Sequence, residues 1–192
     1  PIPAFCPACK GRVIKEKEED VALRCINPSC PAQLERGLLH FASRGAMDIE
    51  GMGESVVAQL VAQGLVHTFA DIYTLTDKDL ARLDLFKEKK IRNLLGAIEK
   101  STQQPLSKLI YALGIRHVGE KAAYVLAEYC KTMETRMHAR REDLEMIADI
   151  GPVIAGSITA PCTERRQEYF RPKDFLTSIT SSTRSNSFHS PL

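Results

Sequence analysis

Four stretches of this chain repeat one another: "IEGMGESVV", "LDLFKEKKI", "IRHVGEKAA" and "IADIGPVIA". Aligned on their fifth residues, Gly53, Lys87, Gly119 and Gly151, they lie 34, 32 and 32 residues apart. Self-similarity at such a period marks one supersecondary unit used several times. Four residues past each reference come Val57, Ile91, Ala123 and Ala155, and seven past come Leu60, Leu94, Leu126 and Ile158. All eight are apolar, and their spacing puts them on one face of a helix. Each unit therefore reads as a tight turn feeding an amphipathic helix, with the preceding apolar stretch supplying the helix that enters the turn. Other helix signals fit: "AQLERGLLHFA" behind Pro31 and ahead of Gly45, "ESVVAQLVAQ" closed by Gly64, and "PLSKLIYAL" closed by Gly114.

Such a turn has a definite chemistry. Glycines as in Gly51-Met52-Gly53 permit positive φ and let the backbone approach a neighbour closely. The residues that follow are a first helical turn, whose amides have no intrahelical acceptors. Exposed amides at a helix N-terminus suit an anionic oxygen, phosphate above all, and such contacts position a backbone without reading its sequence. The expectation is phosphate contact at the first, third and fourth turns. The second carries Leu85 and Lys87 in place of glycines and is expected to be structural.

Ahead of the repeats, four of the six cysteines fall between positions 6 and 30. Cys6 and Cys9 form a C-x2-C pair, and Cys25 and Cys30 a C-x4-C pair. Two close thiolate pairs can meet at the corners of a tetrahedron, the arrangement of structural zinc. The stretches "GRVIK" and "DVALRC", on either side of the charged "KEKEED", read as two short strands and a solvated turn. A segment under about 40 residues seldom builds a sufficient apolar core, so a metal accounts for its folding. Disulfides would need an oxidising compartment, and a redox C-x2-C pair a βαβ setting. Four filled thiolate positions leave no open site for catalysis. Cys130 is expected in the core of a helix.

Composition narrows the class. Hydrophobic residues make up 44% of the 192 positions, aromatics only 6%, and there is no tryptophan. A core of Leu, Ile, Val and Ala suits packed helices. A net charge of +2 makes a general polycationic grip on nucleic acid untenable, so binding must come from local geometry. No run of about 18 apolar residues and no secretory leader pattern occurs, so no membrane partner is expected.

These residues resemble a known family. The four-cysteine pattern followed by "CPAQLERGLLHFASRGAMDIEGMGE", then "PLSKLIYALGIRHVGEKAA", then "IGPVIAGSI", is similar to the zinc-finger and helix-hairpin-helix region of bacterial NAD-dependent DNA ligases. The resemblance covers roughly 3–158. It implies a mainly α chain: a small four-cysteine zinc finger with short β-strands over 1–31, and a helix-hairpin-helix domain of four hairpins over 32–160. Beyond Ala160 the pattern is expected to stop, leaving a divergent, Ser/Thr-rich, disordered tail over 161–192, the product of a frameshift or truncation near Pro161.

For the site, the resemblance implies structural zinc on Cys6, Cys9, Cys25 and Cys30. It implies DNA contacts from Gly51, Met52 and Gly53, from Arg116, His117, Gly119 and Lys121, and from Ile150 and Gly151. Arg116 and Lys121 would add positive charge, whereas Asp149 places a negative one beside the fourth turn. His117 either donates to a phosphate or bonds locally as a turn residue; His40 is expected to be packed. The family's catalytic lysine lies in a K-x-D-G motif, and no such motif occurs in this sequence. The expectation is thus a fragment that grips double-stranded, nicked DNA in the bacterial cytoplasm at the nucleoid, during replication and repair. The remaining ligase domains, NAD bound by the adenylation domain among them, would do the chemistry. An independent helix-hairpin-helix scaffold for DNA structure or repair is the competing reading.

Overall fold

In a computed structural model, the described residues are 3–15, 23–27 and 30–159. The turn expected over "KEKEED" falls almost wholly outside them, as does the tail expected to be disordered. The two expected strands are present: β1 (Val13–Lys15) pairs antiparallel with β2 (Leu23–Cys25), with Val13 opposite Cys25. A bridge between Phe5 and Arg12 folds the first cysteine pair back over β1.

Helix α1 (Pro31–Ala42) starts directly after Cys30, with Pro31 in its first turn where a missing amide costs nothing. The amides of Gln33 and Leu34 donate to the Cys30 carbonyl, and the Gln33 side chain donates to the Cys25 carbonyl at 2.6 Å. The boundary expected between residues 31 and 32 therefore falls inside one helical turn that is bonded to the finger. The helix ends at Ala42, before Gly45, because Ser43 turns into extended conformation.

The four expected hairpins are four packed helix pairs. Helix α1 packs on α2 (Glu54–Ala62), and α3 (Asp77–Leu80) on α4 (Glu88–Ser101). Helix α5 (Leu106–Ala112) packs on α6 (Glu120–Cys130), and α8 (Arg141–Glu145) on α9 (Pro152–Thr159). A 3₁₀ turn (Ala70–Thr74) and α7 (Met133–His138) connect them. Seven of the eight repeated apolar positions are under 7% exposed, and Ile91 is 9%. They join one core with Leu38, Phe41, Met47, Ile72, Leu80, Leu109, Ile110 and Leu144. His40 packs as expected, with Nε2 donating to the Tyr111 carbonyl at 3.0 Å and its ring edge-on to Tyr111. Cys130 is buried in α6.

One charged residue breaks the pattern of the interior. Arg136, in α7, is 3% exposed, and its Nε and Nη2 donors have no partner among the described residues. Burial holds its guanidinium below the ordinary arginine range. A buried donor without an acceptor costs about 1–3 kcal/mol. Replacing it with an apolar side chain of similar length removes that cost, so Arg136→Met is expected to stabilise the fold by about that amount. Denaturant unfolding of the two proteins is the check.

Candidate metal centre and nucleic-acid interface

The finger brings its four cysteines together. The Sγ atoms of Cys6, Cys9, Cys25 and Cys30 all lie within 4.8 Å of one another. Cys9 and Cys25 are 3.4 Å apart, Cys6 and Cys30 3.8 Å. A disulfide requires about 2.05 Å. Four sulfurs about 2.3 Å from one tetrahedral ion would be separated by about 3.8 Å. The donor set and its spacing fit zinc.

Local backbone explains the convergence. Lys10 takes a left-handed conformation, φ 59°, which turns the chain after Cys9 so that the Gly11 amide donates to the Cys9 sulfur at 3.4 Å. The Asn27 amide does the same for Cys25 at 3.4 Å. A Cβ on Gly11 would lie 2.8 Å from the Asn27 Cβ and 3.2 Å from the Cys9 sulfur, so only glycine lets the two loops close. Hydrogen bonding by the Asn27 side chain and the Gly11 amide draws the Cys9 thiol down to about 6. Burial pushes Cys25 up to about 11 and raises Cys30 as well. Binding zinc requires the cluster to give up its thiol protons.

The four turns share one backbone. The residue two before each reference has positive φ in every case: Gly51 at 89°, Leu85 at 61°, His117 at 63° and Asp149 at 68°. The next residue is buried each time: Met52, Phe86, Val118 and Ile150. Its amide donates three residues back, to Ile49, Leu83, Ile115 and Ile147, at 3.1–3.3 Å. The carbonyl of each reference residue accepts the helical bond from Val57, Ile91, Ala123 or Ala155. The turn therefore survives wherever glycine is missing. Leu85 and Asp149 are forced into the left-handed region because the apolar residue behind them must enter the core.

The third position departs from expectation. Gly53 and Gly119 have φ of −87° and −85° with ψ near 180°, ordinary extended values, and Lys87 takes the same conformation in the second turn. Gly53 needs no positive-φ freedom; that requirement belongs to Gly51. A Cβ on Gly53, Gly119 or Gly151 would meet nothing within 4 Å. Neither backbone strain nor internal packing calls for glycine at these three places. No side chain caps α2, α4 or α6, whereas Thr76 and Thr132 cap α3 and α7.

Met52 and Ile150 are buried, so their side chains serve the core, and only their backbone faces the turn. Arg116, His117 and Lys121 are exposed around the third turn. Lys121 Nζ lies 3.1 Å from the Asp149 carboxylate, which joins the third hairpin to the turn of the fourth. That pair, 28 residues apart in sequence, carries no periodic signal that could have announced it.

A model of the NAD-dependent DNA ligase C4 zinc finger domain matches residues 5–32, and one of the helix-hairpin-helix motif matches 108–168. The DNA ligase of Bacillus cereus (strain AH187) is 48% identical over 175 residues, 91% of this chain and 25% of that protein. The DNA ligase of Lacticaseibacillus casei (strain BL23) is 52% identical over 158 residues, 82% of this chain and 23% of that protein. The resemblance is to the zinc-finger and helix-hairpin-helix region of bacterial DNA ligases. The chain spans about a quarter of the length of these curated relatives. The match to the hairpin model runs to residue 168. With the family match beside it, the four-cysteine cluster is a structural zinc site.

Removing the metal with a chelator is expected to add the four finger thiols to those reactive toward a thiol reagent, while the buried Cys130 stays protected. Because zinc binds thiolates and releases their protons, acidification should free the ion and alkaline pH retain it. Zinc release followed by a chromogenic chelator across pH is the measurement.

Proposed function

We propose that this chain is the part of a DNA ligase that holds double-stranded DNA around a nick. Three glycine-bearing hairpins take backbone phosphates, and zinc fixes the finger that leads into them. The observation that carries this reading is the set Gly53, Gly119 and Gly151: three exposed positions, in register, where nothing inside the protein requires the loss of a side chain. A ligand backbone that must come close supplies the reason. The first-turn amides of α2, α6 and α9 are the donors it would meet, aided by the positive ends of the helices.

Cations sharpen the third turn. Arg116 and Lys121 are exposed beside Gly119, and His117 lies between them on the left-handed corner. The salt bridge to Asp149 occupies the Lys121 ammonium, so a phosphate must compete with a carboxylate for it. Gripping a backbone in this way carries no sequence preference, as sealing breaks at any sequence demands. Transfer of adenylate from NAD and closure of the phosphodiester bond fall, on this reading, to ligase parts that contain the K-x-D-G lysine. No membrane enters the reading, and among the described residues no helix is long and apolar enough to cross one.

Titration against nicked and intact duplexes at several salt concentrations tests the proposal. Binding whose log affinity falls linearly with log salt is expected, with no dependence on base sequence; no binding at low salt would overturn it. Gly53→Val should keep the fold, since its backbone angles suit any residue, yet weaken binding about tenfold by blocking the phosphate. Asp149→Asn tolerates the left-handed turn and frees Lys121, so it should strengthen binding about threefold. Anisotropy titrations of the three proteins decide both.

A further inference from the structure

The second hairpin has no glycine cradle, yet its tip is odd in a way a plain connector does not explain. Leu85 is 89% exposed and sits at φ 61°. A branched apolar side chain in the left-handed region crowds its own carbonyl, and here it also faces water. Gly51, His117 and Asp149 hold the same corner of the other three turns. Glycine or a polar residue would satisfy the geometry better, so the fold gives no reason for leucine.

The surroundings point to a polyanion. Between positions 82 and 92, Arg82, Lys87, Lys89, Lys90 and Arg92 outnumber Asp84 and Glu88. Lys87 is exposed at the third position, and Lys90 is held near the tip with its ammonium 4.2 Å from the centre of the buried Phe86 ring. The hairpin is also placed beside one that would grip phosphate. A Cβ on Gly51, at the first turn, would lie 3.8 Å from Leu94 of α4, so the first turn packs on the helix that leaves the second. In the repeat, Leu85 occupies the corner that Asp149 occupies next to the third hairpin. A lone apolar point in a basic collar is too small for a stable protein interface, which needs an extended patch. It has the makings of a minor-groove wedge, where cations meet phosphates on the walls and an aliphatic side chain presses between base steps.

We propose that Leu85 is an apolar wedge that the second hairpin sets into the duplex minor groove, with Lys87 on a flanking phosphate. This rests on the duplex-binding reading above. Prying bases apart is easier where one strand is broken, so the wedge favours nicked over intact duplex. The second hairpin thus senses the flexibility of the break, while the glycine turns hold the backbone on either side.

The test compares the parent chain with Leu85→Gly, Leu85→Met and Lys87→Gln in binding to nicked and intact duplexes, with thermal unfolding alongside. Leu85→Gly should raise or preserve the unfolding temperature, because glycine accepts the corner without strain. It should nevertheless weaken binding to nicked duplex about fivefold and bring the nicked-to-intact ratio near one. Leu85→Met, which keeps an apolar wedge, should bind nicked duplex within about twofold of the parent. Lys87→Gln should weaken both duplexes alike and lower the salt slope by about one. Leu85→Gly that binds nicked duplex as tightly as the parent would overturn the wedge. A parent chain that binds no duplex would overturn the reading beneath it as well.

Discussion

The burial of one apolar residue in each turn governs the rest of the helical region. Met52, Phe86, Val118 and Ile150 enter the core between two packed helices, and each amide is tied three residues back. With that residue fixed inside, the one before it must take positive φ and the one after it must face outward. The left-handed corner and the exposed third position are thus consequences of core packing. That is why the turn persists when the corner is histidine, aspartate or even leucine, which has little liking for this conformation on its own.

Much of this was legible in the sequence. The apolar positions at four and seven residues past each reference survive as a core face because helical periodicity is a local property that tertiary packing only reinforces. The cysteines were legible for a related reason: ligand type and spacing nearly determine a tetrahedral thiolate site. The sign of φ at Leu85 and Asp149 was not, because the neighbour's burial imposes it against their own preference. The second hairpin keeps the same turn without its glycines, so residue identity there does not report conformation. The short helix α3 had a visible capping box in Thr76 and Asp79, but four residues are too few to show a period. Arg136 gave no signal, because a cation among the mixed residues of "KTMETRMHAR" reads as solvent-facing.

Five glycines of the finger and the turns fall into three groups by physical cause. Gly51 is needed for its backbone angle, and Gly11 for the close passage of two finger loops. Gly53, Gly119 and Gly151 have neither need; the first two stand at helix N-caps, where glycine is well tolerated, and on the duplex-binding reading proposed above a ligand adds the constraint. A glycine that the fold does not use is more informative about a ligand than one the fold requires. Asp149 points the other way: its carboxylate answers Lys121 internally and so tempers the positive field at the third and fourth turns.

The start of α1 at Cys30 has a mechanical meaning. A helix of 12 residues is about 18 Å long and resists twisting far better than a loop. Its first turn is bonded to a metal-bearing residue and its last lies against the core through Phe41 and Ala42. Rotation of the finger about that axis would have to unwind hydrogen bonds at one end or shear packed side chains at the other. The finger is therefore carried as a strut, and any force it meets passes along α1 to the hairpins.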